Sequence, residues 1–327
     1  MKKIVLSVLT LVGIMFLGAC NLNIGESDLP REDIEITHTV TIDGVRTEVT
    51  ETFTTNPRVV ATFALEFSDI MLELGLNKAG ITVFGLSKGE NLTESLAEFS
   101  GNKYPNVGTL FEPNHDALTL MMPDLIILGG RAASQYSDLK QRYPNADILD
   151  ISNANPYYFE KQKEIYQNLG KIFTNIKDDL NQYITSFETS FNEIKTNFPD
   201  KNVLFLMVNG DTISQFGKNS RYDFIYSELG MIPADANGSI LEAHGKTVNA
   251  EYISAVNPDI ILVFDRAQAT GESTGSINNL MNNALVKGTK AGKNGDIYIL
   301  DPYAWYILPG GIRSTLSMIH DLQQVLS

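Results

Sequence analysis

Three arginines stand where an apolar segment gives way to a loop: Arg131, Arg221 and Arg266. A guanidinium group is a planar fork of N–H donors that suits carboxylate, catecholate or phosphate oxygens. Any single arginine is more often a surface ion-pair partner. Two of these three, however, belong to a repeated phrase. Pro123-Asp124 leads through an apolar run into Arg131, and Pro258-Asp259 leads through another into Arg266; each arginine comes eight residues after its proline. His244, just before Gly245, and Tyr306, beside Trp305, add an imidazole and a phenol. Both groups can bind a hard ferric ion. Taken alone, such a histidine is more often solvated, and such a tyrosine more often lines a core or pocket. Asp116 and Glu228 fall on expected helices of opposite halves and, from composition alone, read as solvated carboxylates.

No catalytic constellation accompanies these residues. The chain has no Gly-x-Ser-x-Gly, no His-Glu-x-x-His and no phosphate loop. Its four histidines, at 38, 115, 244 and 320, show no metal-ligand spacing. The chemistry on offer is therefore anion binding, with a phenol and an imidazole that can also bind a hard metal ion.

The elements that must position these groups follow from the pattern. Leu125-Ile126-Ile127-Leu128 and Ile260-Ile261-Leu262-Val263 are short apolar runs after turn residues, the signature of buried parallel strands. Short helices are expected just before each, over 116–121 and 250–256. Between the two phrases lies a stretch, 157–198, with no proline and apolar residues in steps of three and four, which reads as helix. Thr174 and Asn175 leave open a division into two helices. Alternating residues on both sides of Asp43-Gly44 predict a hairpin. The fold class is α/β: two lobes, each with a mostly parallel central sheet flanked by helices, joined by a long helix. The expected boundaries are an N-terminal lobe over 34–172, a connecting helix over 173–198 and a C-terminal lobe over 199–327. Ligands of open α/β sheets sit beyond the carboxyl ends of the strands, where Arg131 and Arg266 fall, one per lobe. The ligand cleft is expected between the lobes.

Composition narrows the partners. A net charge of −14 over 327 residues, with no basic stripe, excludes nucleic acid. Lys2 and Lys3, an apolar run over 4–17 and Leu17-Gly18-Ala19-Cys20 read as a secretory signal over 1–19. The last four residues resemble a bacterial lipobox, which implies a lipid on Cys20 and anchoring at the outer face of the cell membrane. The polar segment 20–33 then serves as a tether. Cys20 is the one cysteine, so no disulfide or thiolate metal site is expected.

Asn56-Pro57-Arg58-Val59-Val60, Gly108-Thr109-Leu110-Phe111-Glu112-Pro113-Asn114, Pro123 to Arg131, Gly217-Lys218-Asn219-Ser220-Arg221, His244-Gly245-Lys246 and Trp305-Tyr306-Ile307-Leu308-Pro309-Gly310-Gly311 occur in that order. With the lipobox they make the chain resemble the solute-binding lipoproteins of ferric-siderophore ABC importers, in the catecholate and petrobactin-type branch of the iron, haem and cobalamin group. The resemblance implies two lobes joined by a rigid helix, monomeric and with no intrinsic cofactor. Fe(III) arrives as a siderophore complex and is passed to an ABC permease for iron uptake. It maps an arginine triad onto Arg131, Arg221 and Arg266, a ligand-contacting aromatic pair onto Trp305 and Tyr306, direct iron ligands onto His244 and Tyr306, and permease-docking carboxylates onto Asp116 and Glu228. Ala304 stands where the family has an aromatic. A carrier of haem, cobalamin or ferric hydroxamate is the alternative; an enzyme acting on siderophores is a distant one.

Overall fold

The computed structural model describes residues 29–89, 92–153, 158–235, 245–272 and 276–326. Cys20, most of the tether and His244 lie outside the described residues.

The chain opens with the hairpin, β1 (Asp33–Ile42) and β2 (Val45–Thr54), paired antiparallel in full register. Asp43 and Gly44 close it with φ of 50° and 77°. Two left-handed residues in a row make the turn whose twist matches that of the strands. The hairpin is clipped to the first lobe: Arg46 donates to Asp150 at 2.7 Å, and buried His38 accepts from the Asp150 backbone N–H.

The first lobe is a four-stranded sheet of β3 (Val59–Thr62), β4 (Val83–Leu86), β5 (Leu125–Leu128) and β6 (Asp147–Asp150), ordered β4-β3-β5-β6 and parallel throughout. Helices α1 (Leu65–Leu74), α2 (His115–Met121) and α3 (Tyr136–Arg142) belong to it. Every side chain of β5 is buried, because a parallel sheet is covered on both faces.

The stretch read as a connector forms two helices, α4 (Tyr158–Ile172) and α5 (Lys177–Asn197), separated by a single tight turn at Thr174–Ile176. The break falls at the site the sequence left open. Asn56 fixes it, accepting from both the backbone N–H and the hydroxyl of Thr174.

The second lobe is built on a mixed sheet. β7 (Asn202–Asn209), β8 (Thr212–Phe216), β9 (Ile232–Pro233), β10 (Lys246–Val248), β11 (Ile260–Asp265) and β12 (Ile297–Ile299) run in the order β10-β8-β7-β11-β12, with β9 beside the start of β7. β7, β11 and β12 are parallel; β8 and β10 are antiparallel to their neighbours. α6 (Phe224–Ser227) follows β8 and α7 (Ala250–Val256) precedes β11. One hydrophobic core runs unbroken from Val60 and Leu125 of the first sheet, through Leu169 and Ile176, to Phe205 and Phe264 of the second.

The Pro-Asp repeat has a structural cause, and it extends further back than its apolar run. Asn114 and Asn249, each nine residues before the proline, cap α2 and α7 by accepting from the N–H three residues on. Met122 and Asn257 end those helices in the left-handed region, both with φ of 49°. Asp124 then accepts from the N–H groups of Arg58 and Val59, and Asp259 from that of Asn202. Each aspartate thus clips the start of the neighbouring parallel strand.

The C-terminal helix, Ile312–Gln323, returns to the first lobe and packs on α1 and α5. Its N-terminus has no capping side chain of its own; Asp69 of α1 accepts from the N–H groups of Arg313 and Ser314 at 2.8 and 3.2 Å.

Candidate ligand-binding cleft

Each arginine is delivered by a loop at a strand end. Arg131 leaves β5 after Gly129 and Gly130. Gly129 leaves little room there: a Cβ would stand 3.0 Å from a Glu66 carboxylate oxygen and 3.1 Å from Ala64 Cα. Arg221 follows a turn in which Asn219 takes a φ of 63° and Ser220 bonds back to the Gly217 carbonyl. Arg266 begins a short helix, Arg266–Ala269, capped by the buried Asp265 carboxylate at the end of β11.

All three converge on Tyr306. Arg131 and Arg221 each donate to the Tyr306 carbonyl oxygen, at 3.2 and 3.1 Å. Arg266 donates through Nε to the Tyr306 hydroxyl at 2.8 Å and through Nη1 to Asn209 at 3.2 Å. The three guanidinium carbons lie 5.4, 5.0 and 5.4 Å from the centre of the Tyr306 ring. Cation–π attraction to one ring offsets only part of the repulsion among three cations. An anion entering this cluster relieves that repulsion.

Tyr306 is half-buried. Burial pushes its phenol up, but the Arg266 hydrogen bond and the charges of Arg266, Arg131 and Arg221 outweigh it and hold the group below the usual tyrosine value. Such a phenol is readied for the phenolate form, a hard oxygen donor that suits ferric iron. His244 lies outside the described residues, and among those described no three His, Cys, Asp or Glu side chains gather into a metal cage.

Trp305 corrects an expectation. Its ring is fully buried and therefore does not line the cleft as a ligand contact. Tyr303–Ile307 forms a single π turn, which sends successive side chains in different directions. Trp305 goes inward, donating to Asp321 at 2.8 Å and stacking on Phe224, and its carbonyl accepts from the Tyr222 hydroxyl. Tyr306 goes outward to the arginines. Trp305 is thus the anchor that positions Tyr306.

The two carboxylates assigned to docking also part company. Asp116 is exposed in the first turn of α2. Glu228 instead faces inward and caps the start of α4, where both its oxygens accept from the Phe159 N–H at 3.1 Å. Burial pushes its carboxyl up against those hydrogen bonds. By the internal repeat, the counterpart of Asp116 is Glu251: each stands two residues after a capping asparagine, and each is exposed. The matching Asn-to-Pro spacing was the sequence signal for this pair.

Glu66 is a residue beside the arginines that the sequence reading missed. It stands in the first turn of α1, against Gly129, among Arg131, Arg221, Asp150 and Tyr158. Burial raises its carboxyl to about 7, against the pull of the two arginines. A separate groove of about 380 Å³, lined by Phe159, Tyr166, Phe187, Phe191 and Leu229, runs along α4 and α5 and shares no residue with the arginine cluster.

A family model described as periplasmic binding protein matches residues 60–304. The chain belongs to that family. It is 33% identical to the petrobactin-binding protein YclQ of Bacillus subtilis over all of this chain and 99% of that one. The crystal structure of YclQ superposes with a TM-score of 0.76, covering 90% of this chain and 99% of that one. The catecholate-siderophore binding protein VctP of Vibrio cholerae gives a TM-score of 0.77 at 29% identity, covering 88% and 99%. The iron uptake ABC transporter substrate-binding protein PiuA of Streptococcus pneumoniae gives 0.75 at 28% identity, covering 90% and 99%. The two-lobed α/β fold is that of these siderophore and iron binders. They are binding proteins rather than enzymes, the class expected from the sequence.

Proposed function

We propose that this protein is the extracytoplasmic binding component of an ABC importer, capturing an anionic ferric-catecholate siderophore for iron uptake. The observation that carries the reading is the set of three arginines from two lobes around Tyr306. A ferric tris-catecholate is a compact trianion, and three guanidinium groups match it in charge and in donor geometry. Where a ligand fills fewer than six iron positions, the Tyr306 phenolate is a further oxygen donor, with His244 as the second candidate. The relatives named for petrobactin and for catecholates support the same chemistry. A family named for the periplasm supports a working site outside the cytoplasm; anchoring through a lipid on Cys20, and action as a monomer, are part of the proposal. Asp116 and Glu251 are the carboxylates proposed to meet the permease.

The test is a fluorescence titration of residues 21–327, with Trp305 as reporter, against ferric petrobactin, a ferric triscatecholate, a ferric hydroxamate and haem. Tight quenching confined to the catecholates is expected. A response confined to haem or hydroxamate overturns the ligand class.

A further inference from the structure

We propose that Glu66 is a specificity-determining residue that gates anion binding by its proton: the cleft takes the anionic complex tightly when Glu66 is the neutral acid and weakly when it is the carboxylate. This rests on the anion-carrier reading above.

The geometry comes first. Glu66 stands in the first turn of α1 with its Oε1 packed close to Gly129, the backbone that leads into Arg131. The groups facing it come from every neighbouring element. Arg131 comes from the loop after β5, Arg221 from the loop before α6, Asp150 from the end of β6 and Tyr158 from the start of α4. Arg313, on the C-terminal helix packed against α1, gives its backbone N–H to Asp69 and its guanidinium to the Ser95 carbonyl. Tyr158 carries a second signal. Its hydroxyl is buried, close to Gly310, and has no hydrogen-bond partner among the described residues. A buried hydroxyl left unpaired is costly, so a water or ligand oxygen that reached it would be held firmly.

The chemistry follows from charge. With Glu66 neutral, the guanidinium cations present their full charge to an anion. A carboxylic acid also has one O–H to donate to a ligand oxygen, which a carboxylate lacks. With Glu66 ionised, its single negative charge offsets part of the cluster's positive charge and repels the ligand. The resting balance lies near neutrality, because burial has already raised this carboxyl to about 7. A bound anion raises it further, so binding above that pH takes up a proton from solvent.

The experiment compares the wild-type protein with Glu66→Gln, an isosteric neutral mimic of the acid. Affinity for ferric petrobactin is measured at steps from pH 6 to 8.5, and the ratio of the two dissociation constants is taken at each pH so that titration of the ligand cancels. The ratio of wild-type to variant Kd should rise on the order of tenfold across the range. A constant ratio overturns the inference while leaving the carrier reading intact. Failure of both proteins to bind any ferric catecholate overturns both. Carboxyl ¹³C NMR of the ligand-free protein gives an independent reading: a Glu66 midpoint close to neutrality is expected, and an ordinary glutamate midpoint overturns the proposal.

Discussion

Arg131 of the first lobe and Arg221 of the second donate to the same acceptor, the carbonyl oxygen of Tyr306. The contact bridges the lobes at the point where the cationic charge is densest. Each guanidinium keeps further N–H donors free to turn toward a ligand. Arg131→Ala and Arg266→Ala should each weaken a ferric catecholate by about 10–100-fold, the loss expected for a charge-assisted hydrogen bond. A ferric hydroxamate should change by less than about threefold. Equal small effects on both ligands in parallel titrations would remove the anion-capture argument.

Tyr306 should ionise below the other tyrosines. Because the chain has 13 tyrosines, the measurement is a difference: the alkaline absorbance titration of the wild-type protein minus that of Tyr306→Phe. Arg266→Gln removes the hydrogen bond to the hydroxyl and should move the Tyr306 step upward. A Tyr306 step at the ordinary tyrosine position would show that burial outweighs the three charges.

Asp116→Lys and Glu251→Lys should leave siderophore affinity in solution unchanged, since both side chains are exposed. In cells that depend on this protein for siderophore iron, uptake should fall by about tenfold or more for the double variant. Glu228→Gln, by contrast, should act on stability, because it weakens the cap of α4. Unimpaired uptake by the Lys variants would end the docking assignment.

Glu66 should destabilise the native protein above neutrality. Its folded pKa, about 7, is raised above that of an unfolded glutamate. The favourable contribution is therefore fully present below about pH 4.5 and is lost as pH rises through about 7. Glu66→Gln should be more stable than wild type at pH 8 by up to about 3 kcal/mol and should match it near pH 4. Urea unfolding at the two pH values measures this. A difference that does not change with pH would mean the carboxyl titrates normally. A stabilising change in the binding cleft is the usual mark of a residue kept for function.

Much of this arrangement was legible in the residues. The apolar runs after Pro-Asp could only be buried strands, and Asp43-Gly44 could hardly be anything but a hairpin turn. The arginines were placed by the same reasoning, because a strand end is a fixed address in an α/β sheet. What was not legible depended on direction and on distance along the chain. Trp305 and Tyr306 are adjacent, and only the π turn reveals that one is core and the other cleft. Glu66 and Arg131 are 65 residues apart and meet because two parallel strands lie side by side. Glu228 looked like any helix carboxylate until its partner, the start of α4, was in view.

Gly311 tests the junction between the last helix and the first lobe. A Cβ there would overlap the Asp69 carboxylate. Gly311→Ala should cost about 2 kcal/mol or more and lower the thermal midpoint by several degrees, with little effect on ligand affinity once folded. A thermal scan showing no change would mean that Asp69 can withdraw without loss.

The same junction bears on how the protein reaches its native state. Asp69 and the N–H of Arg313 are 244 residues apart, so the first lobe is completed by a helix made long after its own strands. That lobe cannot close its surface until residues 312–323 are also available to pack on it. Long-range closure of this kind is slow and leaves apolar surface open to wrong partners meanwhile.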